Sequence, residues 1–221
     1  PPGCGKSSLA LMIAAHLTEQ GYTAIYATGE ESASQIRRRA DRILSHIDEN
    51  LWILADTSMD NVLRHIESID ADFIVIDSIQ TFSMDAIDSR PGSPTQTMQC
   101  ATELLYTAKN PARPRAVMMI GQMTKENELA GLRSLEHMVD TVLLMDSNVG
   151  EEVRCLYSSK NRFGSTGEMG FFNMTEAGLL SIDNPSDFFM TKRETDESIS
   201  GSALTVVREG SRPIIVEIES L

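Results

Sequence analysis

Positive charge is scarce in this chain of 221 residues, which carries 19 Lys and Arg against 32 Asp and Glu, a formal net charge of −13. That balance excludes indiscriminate coating of duplex DNA, because phosphate binding is driven by basic groups that displace counterions. A local basic channel stays open: Arg37, Arg38, Arg39 and Arg42 share one expected helix, read mainly as a solvated face, while Lys125, Arg133, Lys160 and Arg162 fall in expected loops. Cysteine is rarer still. Cys4, Cys100 and Cys155 are far apart with no CxxC spacing, so neither a zinc site nor a disulfide framework is indicated, and a reducing cytoplasm is expected. No apolar run approaches the roughly 18 residues that cross a bilayer. The longest, around Val117 to Ile120, fits a buried strand, so a soluble globular protein that does not enter a membrane is expected. No charged segment followed by an apolar one and a cleavage site opens the chain, so no secretory address is read from it.

What is present is an alternation of short β-rich runs with helical stretches, the pattern of an α/β fold with a mostly parallel sheet. Ala24 to Thr28, Leu51 to Leu54, Phe73 to Asp77, Ala116 to Gly121 and Thr141 to Met145 read as strands. Between them Leu9, Met12, Ile13 and Leu17 share a helical face that Gly21 ends. Ile36, Ala40, Ile43 and Leu44 follow the N-cap candidate Ser32, and Val62, Leu63 and Ile66 follow Thr57 and Ser58. A further helix is expected from about Thr95 to Ala108, between proline-bearing loops at Arg90 to Pro94 and Asn110 to Arg115. After Val153 the spacing changes to short strands at Arg154 to Ser159, Gly170 to Met174 and Leu179 to Ile182. Lys192 to Ser198 reads as a linker, and Leu204 to Val207 with Ile214 to Ile218 as a strand pair opening a second domain. The expected boundaries are 1–190 for the first domain and 191–221 for the linker and the start of the next.

The chemistry is concentrated at the start. PPGCGKSS, Pro1 to Ser8, matches the phosphate loop GxxxxGKS/T from its second position onward, with Pro1, Pro2, Gly3 and Cys4 at the variable positions. Gly3 and Gly5 let backbone N–H groups converge on phosphate oxygens, Lys6 brings a cation to the β and γ phosphates, and Ser7 offers an oxygen to Mg²⁺. The amphipathic helix that follows directly makes a chance Gly/Lys turn a poor account. ATP with Mg²⁺ is the expected cofactor. A phosphate loop normally hangs from a buried strand before it, and burial of three apolar side chains contributes roughly 5 to 9 kcal/mol, comparable with the ~5 to 15 kcal/mol stability of a domain. With no such strand in these residues, the 221-residue polypeptide made alone is expected to be molten or aggregation-prone.

Phe73 to Asp77, FIVID, is an apolar strand ending in a carboxylate, and Asp77 can hold Mg²⁺ through water. Ser78 follows rather than an acid, which excludes the common AAA+ arrangement in which a neighbouring Glu activates water. Another carboxylate is therefore needed. Thr28-Gly29-Glu30-Glu31-Ser32 supplies two as the strand after the first helix ends, and either Glu30 or Glu31 can orient the attacking water. Glu30 is favoured, since Glu31 lies closer to the helix cap, where an acid simply complements the partial positive charge. Gln122, after the strand from Ala116, can sense the γ-phosphate; a satisfied polar strand end is the plain alternative.

Several stretches resemble the bacterial recombination and repair ATPases of the RadA/Sms family: VIDSIQT (Val75 to Thr81), PGS (Pro91 to Ser93), TKE (Thr124 to Glu126), LEHMVDTVL (Leu135 to Leu143) and above all KNRFGST (Lys160 to Thr166). NPS (Asn184 to Ser186) and SGS (Ser200 to Ser202) carry the resemblance to the end. It implies a RecA-like P-loop core followed by the beginning of a Lon-protease-like domain, and a DNA-dependent ATPase that processes recombination intermediates by branch migration. It also implies a ring, taken as a hexamer, around single-stranded DNA and branched intermediates. Lys160 and Arg162 would then reach the nucleotide of an adjacent subunit, the plain alternative being that the pair contacts DNA phosphate or caps a turn, while Ser83 to Pro94 and Lys125 to Arg133 would line the channel, with Lys125 and Arg133 on phosphates. Gln122 departs from the family, which usually has His there. Competing readings are a RecA-type replicative helicase and an oligomeric scaffold that uses nucleotide as an assembly switch.

Overall fold

The computed structural model describes residues 3–122, 132–146, 152–184, 202–209 and 212–219. The chain divides into two compact units, the first running to Val139 and including Glu176–Leu179, the second formed by Asp140–Thr175 and the residues from Leu180 onward. The first unit holds α1 (Lys6–Glu19), β1 (Ala24–Thr28), α2 (Ala33–Ile43), β2 (Leu51–Ala55), α3 (Met59–Ser68), β3 (Phe73–Asp77), a 3-10 turn (Ile79–Thr81), α4 (Pro94–Ala108), β4 (Ala116–Ile120) and α5 (Leu132–Met138). The four strands form one parallel sheet in the order β2-β1-β3-β4.

Side chains alternate across a strand, so each strand feeds two cores. On one face Ile25, Ala27, Ile74 and Ile76 pack with Met59, Val62 and Ile66 of α3 and Cys100, Ala101 and Leu104 of α4. On the other, Ala24, Tyr26, Phe73 and Val75 pack with Ala10, Leu11 and Ala14 of α1 and Ile36, Ala40 and Ile43 of α2. Covering both faces is why β1 and β3 are buried at every position and read as continuous apolar runs.

Local signals set the helix ends. Ser32 caps α2 in a capping box with Gln35, Ser58 caps α3 and Ser93 caps α4 just before Pro94. Gly21, at φ 89°, follows the C-terminus of α1 in the left-handed region that favours glycine. Strand registers then align the chemistry. Thr28 lies opposite Asp77, and Asp77 opposite Ile120, so the residues that follow these strands emerge at the same carboxyl edge, where open parallel sheets bind ligands.

β5 (Thr141–Asp146), β6 (Val153–Asn161) and β7 (Met169–Thr175) belong to the second unit, and with β8 (Gly178–Ser181), whose first two residues are assigned to the first, make a sheet in the order β5-β6-β7-β8, antiparallel at β5–β6 and β6–β7. Buried Val153 and Phe171 pack with Cys155, Met169, Ile182 and Val216. β9 (Ser202–Glu209) and β10 (Arg212–Glu219) form an antiparallel pair with Glu209 opposite Arg212. The expected boundary at residue 190 and the linker Lys192 to Ser198 lie outside the described residues.

Candidate functional site

The carboxyl edge of the parallel sheet gathers most of the residues singled out by their sequence context. Gly3 and Gly5, at φ 76° and 100°, turn the chain in the left-handed region into α1, which begins at Lys6 and carries Ser7 in its first turn. A helix N-terminus presents free N–H groups and partial positive charge to an anion. Cys4 is buried beneath this turn, with the Lys6 ammonium 3.5 Å from its sulfur.

Tyr26 joins the start of α1 to β3. Its hydroxyl donates to Asp77 Oδ2 and lies 3.5 Å from the carbonyl oxygen of Ser7. Burial, then the Asp77 charge and hydrogen bond, push the phenol well above its ordinary pKa, so it stays a neutral donor. Asp77 is itself buried and, among the described residues, its carboxylate forms no ion pair. A buried carboxylate without a counter-charge is costly, and its oxygens together with the Ser7 hydroxyl are the hard donors that Mg²⁺ takes. The residues thus fit the cation. No group of three or more His, Cys, Asp or Glu among the described residues could hold a metal, so water or ligand oxygens would complete its coordination.

Glu30 and Glu31 follow β1, and their backbone N–H groups face Thr28 Oγ1 at 3.2 and 3.4 Å. Their side chains part company. Glu30 Oε1 accepts from the Ser78 hydroxyl, and Gln122 Nε2 lies 3.0 and 3.1 Å from the two Glu30 oxygens. Glu31 instead pairs with Arg39 of α2. The reading of Arg37 to Arg42 as a solvated face therefore holds for Arg37, Arg38 and Arg42, which are exposed, but not for Arg39, whose side chain is only 12% exposed. The helical period points Arg39 inward, where an acid is waiting. An open cleft of about 440 Å³ lies beside these acids, lined by Thr28 to Ser32 and Ala55 to Thr57.

The AAA domain family matches residues 1–128, more than half of the 221-residue chain. The chain belongs to that family. Curated relatives within reach of its AAA domain and beyond include DNA repair protein RadA of Bacillus subtilis (strain 168), 43% identical over 220 residues that are 100% of this chain and 47% of that protein. DNA repair protein RadA of Streptococcus pneumoniae (strain ATCC BAA-255 / R6) is 43% identical over 220 residues, 100% of this chain and 51% of its own length. These matches bear out the RadA/Sms resemblance, and the chain spans about half the length of the curated relatives. Two solved structures share the fold. The KaiC-like protein PH0186 from Pyrococcus horikoshii OT3 has a TM-score of 0.60 at 20% identity, over 82% of this chain and 85% of that one. Flagellar accessory protein FlaH from Methanocaldococcus jannaschii has a TM-score of 0.58 at 13% identity, over the same shares, 82% and 85%. The expected α/β fold with a parallel, P-loop-bearing sheet is thereby established.

The AAA domain does not include the KNRFG segment, which lies where β6 ends and in the turn after it. There Arg162 donates to Asp140 Oδ1 at 2.8 Å while its backbone N–H donates to Asp140 O at 3.0 Å, and Phe163 between β6 and β7 is 82% exposed. Lys160 is half-buried in β6. Pro1, Pro2, Lys125 and the TKE segment lie outside the described residues; Arg133 is in α5, but its side chain is outside them. Sequence reasoning missed Tyr26, Ser78 and Arg39. Tyr26 had a signal, a phenol at a position that the strand period buries, which implies a polar partner.

Proposed function

We propose that this chain is the ATP-binding and hydrolysing core of a DNA repair ATPase. The observation that carries this reading is the meeting of Glu30 and Gln122 at one sheet edge with Asp77, which Tyr26 ties to the start of α1. The names of the RadA relatives support the repair assignment. In this reading Gly3, Cys4, Gly5, Lys6, Ser7 and Ser8, with Pro1 and Pro2, enclose the phosphates; Lys6 meets the β and γ groups, and Ser7 and Asp77 hold Mg²⁺. When bound, the cation neutralises charge on the phosphate oxygens. Glu30 is the base that orients water, because Glu31 is already engaged by Arg39. Gln122, whose amide spans the Glu30 carboxylate, reports the γ-phosphate.

The finer reading is a ring, taken as a hexamer, that encloses single-stranded DNA and drives branch migration, with Lys125, Arg133 and Ser83 to Pro94 toward the DNA. Lys160 and Arg162 act on the neighbouring subunit's nucleotide; a cation supplied in this way accelerates hydrolysis by ~10³ to 10⁵. The test is ATP turnover by the full-length protein with and without single-stranded DNA, alongside Glu30→Gln and Glu31→Gln. Glu30→Gln should lower kcat by about 10² to 10⁴ while retaining ATP, and DNA should stimulate the wild type. Normal turnover by Glu30→Gln would overturn the assignment of the base, and normal turnover by both variants would remove either carboxylate from that role. Slow turnover indifferent to DNA would favour a nucleotide-switched scaffold instead.

A further inference from the structure

Glu30 receives two donors of different kinds. Gln122 approaches from a partly exposed side, and its backbone carbonyl accepts from Gln80 Nε2 at 3.1 Å. Ser78 approaches from inside: it is 2% exposed, sits immediately after β3, and donates to Oε1 alone. We infer that Ser78 is a positioning residue for Glu30, one that occupies Oε1 and leaves Oε2 as the oxygen that accepts the proton of the attacking water. The inference rests on Glu30 as the base proposed above.

Three further contacts set the place of Ser78 relative to the backbone that carries Glu30. Gly29 N donates to Asp77 O at 3.3 Å. Thr81 donates twice to Ser78 O, from its backbone N–H at 3.0 Å and its hydroxyl at 2.8 Å. Gly29 lies so close to this turn that a Cβ added to it would stand 2.4 Å from Thr81 Oγ1 and 2.7 Å from Thr81 Cβ. The end of β1 and the turn after β3 therefore interlock, and the Ser78 hydroxyl meets Glu30 because glycine at position 29 permits that approach.

The assignment divides the work between the two donors. Gln122 contacts both oxygens and so competes with water at Oε2; when a γ-phosphate draws the amide away, Ser78 still fixes the orientation through Oε1. Oε2 then takes one proton from water as the water oxygen bonds to phosphorus, and the bond between phosphorus and the β–γ bridging oxygen breaks with its electron pair leaving on ADP. Asp77, one residue earlier, would hold the cation and takes no part in the proton transfer.

The test uses the full-length protein with Ser78→Ala, Ser78→Thr and Glu30→Gln, reading kcat, KM and the Kd of a non-hydrolysable ATP analogue. Ser78→Ala should lower kcat roughly ten- to a hundredfold, the loss expected for one hydrogen bond to a charged group. KM and analogue binding should stay within about twofold, since only the chemical step is affected. Ser78→Thr, which keeps the hydroxyl, should recover most of the rate. If the alanine variant does not melt cooperatively, Ser78→Cys, nearly the same size but a weak donor, should show the same loss of kcat at unchanged analogue affinity. Wild-type kcat in the Ala or Cys variant while Glu30→Gln is inactive overturns the role of Ser78 and leaves the base intact. Analogue binding that weakens in step with kcat also overturns it, because a merely structural role would do that. Normal turnover by Glu30→Gln would remove the base and this inference together.

Discussion

Tyr26 shows how one buried hydroxyl organises a site built from distant parts of the chain. Its O–H meets Asp77 and lies beside the Ser7 carbonyl, so Tyr26→Phe keeps the packing volume and removes only the tie. Leaving a buried acceptor short of a donor costs about 1 to 3 kcal/mol. We expect that loss in chemical denaturation, together with a higher Mg²⁺ concentration at half-maximal ATPase activity; an unchanged Mg²⁺ midpoint would show that Asp77 needs no such support. Arg39→Gln tests the other acid: freeing Glu31 should cost about 1 to 2 kcal/mol after allowance for partial exposure but leave hydrolysis far less affected than Glu30→Gln. Asp77, Glu30 and Gln122 were legible in the sequence because motif spacing places them at strand ends. Ser78 was not, because Glu30 follows a different strand, and Arg39 was not, because an ion pair to Glu31 across the cap of its own helix answers to no helical repeat. The preference for Glu30 over Glu31 could be voiced from the nearness of Glu31 to the helix cap, yet the Arg39 partner was visible only in three dimensions.

At the scale of elements, the strands and helices followed their periodicity closely, since α/β units pack apolar faces that the sequence repeats. The apolar runs of β1 and β3 needed no alternation to be recognised, because both faces are covered. Loop order was much harder to read. Gln96 on α4 is buried, and its amide accepts from Met84 N at 2.9 Å and reaches the carbonyls of Met84, Ile87 and Ser89 at 3.2, 2.9 and 3.1 Å. Nothing in a helical repeat announces such a staple. Since the loop it secures belongs to the segment proposed to face DNA, Gln96→Ala should cost about 1 to 3 kcal/mol through unpaired backbone groups. Amide exchange should quicken at Met84, where the lost donor-acceptor pair was, and DNA stimulation of the ATPase should weaken more than basal turnover. Equal exchange rates in wild type and variant would refute the stapling role.

For the whole molecule, acid is the informative stress. Asp56 is held below its ordinary 3.8 by the Ser58 N–H and then Asn61, and Asp72 by the Thr23 N–H and then Arg113. A carboxylate whose folded pKa is depressed contributes stability above its unfolded value, and that contribution is lost as pH falls through the folded one. Unfolding free energy should therefore decline from just above pH 3.8 downward, and Asp72→Asn should flatten the decline in pH-dependent denaturation curves. Assembly is tested by mixing. If Arg162 serves a neighbour, Arg162→Ala subunits combined with phosphate-loop variants should show rescue or poisoning of turnover, whereas strictly additive rates would confine Arg162 to its own chain, where Asp140 holds it.

The level alignment of β1, β3 and β4, with Thr28 beside Asp77 and Asp77 beside Ile120, has an evolutionary corollary. A strand that gains or loses a single residue inverts its facing and shifts whatever follows it by about 3.3 Å, more than the span of a hydrogen bond. Descendants of this sequence are thus free to vary the spelling of those three strands but not their syllable count, and tolerated insertions should accumulate at the opposite rim, in the connections that enter them.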